Sequence, residues 1–156
     1  MKGKIIAGIL FAFLFLAACT NNNVYFQYHP VNPKGWSADS LYTFDVEITD
    51  TISAYNVYVN VRNTPDYKNQ NLWLFILEES PEGVVINDTI EFYLADVRGK
   101  WLGSGVGSIK EMPVLYHQGI KFERSGIYTY KIGHGMRDNN LVGINDLGIR
   151  VEKITD

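Results

Sequence analysis

The chain has 156 residues, 46% of them hydrophobic, with 14 lysines and arginines against 17 aspartates and glutamates. A net charge of −3 leaves no basic footprint, which argues against nucleic acid or an anionic lipid surface as a partner. A single cysteine excludes an intrachain disulfide and a multi-cysteine zinc cage.

In chain order, Lys2 and Lys4 form a short positive segment ahead of residues 5–18, IIAGILFAFLFLAA, which are uncharged and almost wholly apolar. A helix of that length spans about 21 Å at ~1.5 Å per residue, short of the ~30 Å hydrocarbon core of a bilayer. The segment therefore reads as the core of a secretory signal rather than as a membrane span. It ends in Leu16-Ala17-Ala18-Cys19, which has the form of a bacterial lipobox: small residues before the cut and a thiol after it to receive diacylglycerol. We expect residues 1–18 to be a lipoprotein signal peptide, 19–25 a lipidated Cys19 with a tether, and 26–156 one domain. The membrane is then a partner through the lipid on Cys19, and more than one acyl chain makes that attachment stable. Thr20 follows the cysteine and no acidic run comes after it, which points to the periplasmic face of the outer membrane.

The remaining chain reads as all-β. Tyr42, Phe44, Val46 and Ile48 alternate with Thr43, Asp45, Glu47 and Thr49, the period of a half-buried strand. Val57, Val59 and Val61 repeat the pattern. Leu72–Leu77 is apolar on both faces, which predicts a central strand covered on both sides. Strands are also expected at 24–28, 84–94, 127–132 and 148–154. Turn chemistry separates them at Asn32-Pro33-Lys34-Gly35, Asn63-Thr64-Pro65-Asp66 and Ser80-Pro81-Glu82-Gly83. The nearest thing to a helix is 134–141, long enough for one or two turns. Seven or eight strands in one domain predict a single antiparallel β-sandwich, with an open barrel second. Residues 88–108 stand out: an alternating strand (Ile90, Phe92, Leu94) runs into Gly99, Gly103, Gly105 and Gly107. Those glycines predict positive φ or close backbone packing, with Trp101 as the apolar anchor of the turn.

A search for reaction chemistry returns little. His29, His117 and His134 lie far apart with no histidine or cysteine three to five residues away, so solvated or hydrogen-bonded histidines are expected. The glycines at 103, 105 and 107 do not make a dinucleotide fingerprint, and Gly99-Lys100 is no P-loop. Asp138-Asn139-Asn140 begins like a calcium loop, but Val142 and Ile149 stand where oxygen donors are needed. A looser set of Asp138, Asn140, Asn145 and Asp146 is the weaker reading. We expect no catalytic residue, metal, cofactor or small-molecule substrate. Aromatic residues are the remaining signal, and Trp36 and Trp101 are the first candidates for an interaction surface. Arg62 and Arg150 are expected to pair with carboxylates near a sheet edge, and Arg137 is a third arginine of interest.

Taken together, Asn71-Leu72-Trp73, Asp88-Thr89-Ile90-Glu91 and the run from Leu94-Ala95-Asp96 through Gly99, Trp101, Gly103 and Gly105 resemble the gliding-motility lipoprotein GldH family. So do Gly126-x-Tyr128, Met136-Arg137, Leu141-x-Gly143-Ile144 and Asp146-x-Gly148-x-Arg150. The resemblance implies a Bacteroidetes envelope lipoprotein. In gliding members the family is required for the machinery that moves surface adhesins, alongside type IX secretion. It implies no enzymatic activity and no cofactor. Bacteroidetes O-glycosylate exported proteins at Asp-Ser/Thr followed by an aliphatic residue, which makes Ser40, Thr51 and Thr89 candidates.

The leading expectation is a non-enzymatic outer-membrane lipoprotein that contacts other envelope proteins of the gliding and type IX secretion machinery. A carbohydrate-binding lipoprotein of a polysaccharide-utilisation system comes second, an envelope hydrolase with two converging carboxylates third. Cys19→Ala should move the protein out of the membrane fraction and abolish its function, whereas single Asp or Glu substitutions should not. Fractionation of the host envelope checks this.

Overall fold

The structure, a computed structural model, describes residues 22–155. The signal segment and Cys19 lie outside the described residues. The strands are β1 (Asn23–Pro30), β2 (Trp36–Ser37), β3 (Tyr42–Ile48), β4 (Tyr55–Asn63), β5 (Asn71–Glu79), β6 (Val85–Tyr93), β7 (Lys110–Ile120), β8 (Gly126–His134), β9 (Asn140–Leu141) and β10 (Ile144–Lys153). They form two four-stranded sheets, ordered β1-β10-β4-β7 and β3-β8-β5-β6, with β2 and β9 as a short ribbon. Every pairing is antiparallel. This is the expected sandwich.

Alternation decides which face goes inside. Phe44, Val46 and Ile48 of β3 are buried, as are Val57, Val59 and Val61 of β4 and Leu72, Leu74 and Ile76 of β5. Tyr128, Tyr130 and Ile132 of β8 meet Leu147, Ile149 and Val151 of β10 in the same core. Each such side chain contributes about 1.5–3 kcal/mol when fully buried. Two of the expected turns close as predicted, with Gly35 N donating to Asn32 O (2.8 Å) and Gly83 N to Ser80 O (2.9 Å), and the third closes one residue later, with Tyr67 N donating to Thr64 O (3.2 Å).

Four details differ from the sequence reading. β5 is central within its sheet, but only one face is covered: Trp73 is 37% and Phe75 53% exposed. Residues 134–141 form no helical turn and run instead into β9. β7 is an additional strand, masked in the sequence by Pro113 and by two register shifts against β4. Pro113 is accommodated because β7 is an edge strand, where a missing N–H leaves no ladder bond unmade. Residues 23–25, expected as tether, are already strand, and Lys153 N donates to Asn22 O (2.9 Å).

The sandwich has two distinct ends. Asn22 enters and Thr155 lies at the near end, tied by a hydrogen bond from Asn22 Nδ2 to Thr155 Oγ1 (3.1 Å), beside the connections 49–54, 80–84 and 121–125. The far end carries the connections 31–41, 64–70, 94–109 and 135–143.

Several core tyrosines hold their protons tightly. Burial raises the phenols of Tyr55, Tyr67, Tyr116 and Tyr130, and burial followed by the Glu111 carboxylate pushes Tyr28 up to about 12. The unfolded chain loses these protons near pH 10, so the folded state binds more protons above that pH. Their stabilising contribution is complete below about pH 10 and is lost progressively as pH rises above it. Urea midpoints should be flat from pH 7 to about 9 and fall steadily between about 10 and 12; a flat profile across that range contradicts this account.

Candidate interaction surface

Trp73, Phe75 and Tyr93 are exposed on the second sheet, and Phe26 is exposed on β1 of the first. Trp73, Phe75 and Leu77 point outward from β5, between Glu91, Thr89 and Asn87 of β6 on one side and Gly133 and Lys131 of β8 on the other. Two glycines explain why apolar side chains can lie flat there. A Cβ at Gly133 would meet Leu41 Cδ2 at 2.9 Å, and one at Gly135 would meet the Phe75 ring at 2.9 Å and Trp73 Cβ at 3.2 Å. Glycine at 133 and 135 thus leaves a bare strip on which Leu41, 58% exposed, and Phe75 rest. The strip is rigid as well as apolar. Gly135 N donates to Trp73 O (2.7 Å), and Trp73 N reaches Met136 Sδ (3.4 Å). Trp73, Met136 and Arg137 line a groove of about 620 Å³ on one side of Phe75. Leu41, Leu77, Thr89 and Lys131 line a second on the other.

The first-choice residue for such a surface, Trp36, belongs elsewhere. It is fully buried, with Nε1 donating to Ser40 O (3.0 Å) and edge-on contacts to Tyr42 and His134 at 5.3 Å. His134 Nε2 donates to Trp36 O (3.0 Å), and burial lowers the imidazole's pKa. Asn32, Pro33 and Lys34 of the expected turn are exposed, and the chain buries at Gly35 and Trp36, where the β2–β9 ribbon covers the far end of the core. Trp101 is half-buried against the core, as an anchor should be, and bridges to Ala95 at the base of the glycine turn. The turn behaves as expected. A Cβ at Gly103 would meet Glu111 O at 2.6 Å, and Gly99, Gly105 and Gly107 have positive φ. Its tips, Val97 and Val106, are 93% and 100% exposed.

The arginines pair as predicted, on the outer face of the first sheet. Arg62 Nε donates to Glu111 (2.9 Å), has Asp146 at 3.9 Å and lies 3.8 Å above the Tyr28 ring. Arg150 is paired with Glu152 and stacked 4.1 Å over Tyr58, but on a central strand rather than an edge. Burial alone raises the Glu111 carboxyl, yet hydrogen bonds from Tyr28 and Arg62 outweigh it and leave its pKa lowered. A carboxyl held that way is ionised at neutral pH and is poorly suited to donate a proton.

The histidines are separate and individually partnered. His29 packs edge-on to Phe44 (4.7 Å), while His117 Nε2 meets Glu78 Oε2 (3.1 Å), whose other oxygen accepts from Tyr130 (3.2 Å). Of the looser calcium set, Asp138 and Asn140 line one groove. Asp146 lines another and accepts from Asn145 Nδ2 (2.6 Å). Ser40 and Thr89 are exposed, and Thr51 is half-buried in a turn capped by Asp50.

Residues 23–151 match the model of a family described as GldH lipoprotein. The chain is 35% identical over 151 residues to the gliding motility lipoprotein GldH homolog of Christiangramia forsetii, covering 92% of each. It is 33% identical over 152 residues to the gliding motility lipoprotein GldH of Flavobacterium johnsoniae, covering 93% of this chain and 94% of that one. Among solved structures, the infectious bursal disease virus VP2 subviral particle aligns with 83% of this chain and 30% of its own. Its TM-score is 0.35 and its identity 14%, a likeness too slight to carry any argument.

The two tryptophans should separate core from surface. Trp36→Ala should lower unfolding free energy by about 3–5 kcal/mol through a cavity, and Trp73→Ala by about 1 kcal/mol or less. Urea unfolding of both variants checks this, and equal losses contradict the assignment.

Proposed function

The chain belongs to the GldH lipoprotein family, a family of membrane-anchored gliding-motility lipoproteins, and from this we propose an accessory, non-enzymatic role in the envelope. Lipid on Cys19 holds the sandwich to the outer membrane on its periplasmic side. There it contacts other envelope proteins of the gliding machinery associated with type IX secretion. The observation that carries the contact reading is the Trp73–Phe75 pair, exposed on a strand that neighbouring strands hold on both sides. Tryptophan, arginine and methionine are enriched in protein interfaces, and the groove beside Phe75 combines Trp73, Met136 and Arg137. Glycan binding is the second reading, favoured by the same two aromatic rings lying along one sheet face.

The test is affinity purification of the tagged protein from its host after mild detergent extraction. The wild type should bring down gliding or type IX secretion components. The Trp73→Ala/Phe75→Ala variant should lose them by roughly 30-fold, the equivalent of about 2 kcal/mol at a hot spot. Recovery of those components undiminished by the double variant removes this face from the interface. Polysaccharide-uptake proteins in the eluate, with affinity on a glycan array, would transfer the assignment to glycan binding.

A further inference from the structure

The near end of the sandwich combines features that fit a membrane surface. From Cys19 to Asn22 there are three peptide steps, which reach at most about 11 Å at ~3.3–3.6 Å per residue. The polar interface of each leaflet is itself about 5–7 Å thick. With acyl chains on Cys19 in the hydrocarbon, Asn22 cannot lie far above the headgroups. Strands of nine residues then place the far end about 30 Å further out.

The side chains at the near end suit that position. Ile52 is 83%, Val84 60% and Ile154 41% exposed. Ile52 is held outward by a capped turn: Asp50 Oδ1 accepts from Ile52 N (2.9 Å) and Ser53 N (3.1 Å). The other Asp50 oxygen takes Ser53 Oγ (2.7 Å) and Lys153 Nζ (2.7 Å), and Tyr55 OH donates to Asp50 O (2.7 Å). Glu82 is paired with Arg124 at 3.0 Å. Lys121 and Glu123, exposed at the same end, carry opposite charges, so the charges there are paired or balanced and the apolar contact and the lipid on Cys19 set the orientation.

We propose that the near end rests in the headgroup layer, with Ile52 and Val84 as its apolar contacts, and that the protein stands upright with loop 94–109 pointing away from the membrane. Lipid is the occupant. The inference rests on lipidation of Cys19 and adds the orientation that lipidation alone leaves open.

The experiment uses the lipidated protein purified from its host and reconstituted in phosphatidylethanolamine vesicles containing phosphatidylglycerol. Cys19 is the chain's one cysteine and is blocked by acylation, so Ile52→Cys, Val84→Cys and Val106→Cys each offer one free thiol for an environment-sensitive fluorophore. All three sites are exposed, and far-UV circular dichroism verifies each fold. Labels at 52 and 84 should shift to the blue on reconstitution and be quenched by headgroup-proximal spin-labelled lipid, while the label at 106 should do neither. Equal behaviour of 52, 84 and 106, in protein that floats with vesicles, overturns the orientation while leaving the anchor intact. Protein that fails to float, and lacks the acyl mass on Cys19, overturns the anchor and the orientation together.

Discussion

The contact between the two inner sheet faces is the constraint on which everything else depends. With one cysteine in the whole chain, no intrachain cross-link supports the exported fold, and the sandwich must hold by burial alone. The core is built from β-branched and aromatic side chains suited to a pleated surface, valines on β4, isoleucines on β5 and β10 and tyrosines on β8, with leucines on β5 and β10 filling between them. The tyrosines carry polar atoms into it, and Glu78 is the acceptor that satisfies one of them. Glu78 is 8% exposed, and its carboxylate receives Tyr130 on one oxygen and meets His117 on the other, and so links both sheets near the β6–β7 side. A buried carboxylate with both oxygens engaged avoids the large desolvation cost of an unpaired one.

Because the core occupies one face of each sheet, the outer faces are free to differ. The outer face of the first sheet is largely charged and self-paired: Arg62 covers Tyr28, Arg150 covers Tyr58, Glu111, Asp146 and Glu152 neutralise them, and Phe26 and Leu115 stay exposed beside them. The second sheet leaves Trp73, Phe75 and Leu41 bare, on a strip that Gly133 and Gly135 keep flat. A large apolar side chain half-exposed on a sheet face binds without first losing much conformational freedom, which is the physical basis for proposing contact at this face. The two ends diverge in the same way, one bound to the chain's entry point and the other built from long connections.

Much of this was legible in the residues themselves. Period-two alternation marks the core strands, because a strand in a sandwich buries every second side chain and nothing further away can change which ones. Turn chemistry at 32–35, 63–66 and 80–83, the lipobox and the family motifs are local or linear signals, and each requires only its own few residues. Glycine at 103 and 105 likewise announced close backbone packing, although its partner on β7 was not visible.

What only the tertiary structure decided is exposure. Trp36 lies in a polar, turn-rich stretch and Trp73 in an apolar one, yet Trp36 is sealed beneath a ribbon formed with Leu141, more than a hundred positions along the chain, and Trp73 stands open. Leu72–Leu77 reads as doubly covered because hydrophobic composition counts side chains and not layers. This sandwich has no third layer over β5 among the described residues. β7 escaped notice for a related reason: its register is set by β4, not by its own irregular pattern. Burial depends on which distant segment arrives on top of a residue, and that is a property of topology, which alternation and turn chemistry constrain but do not specify.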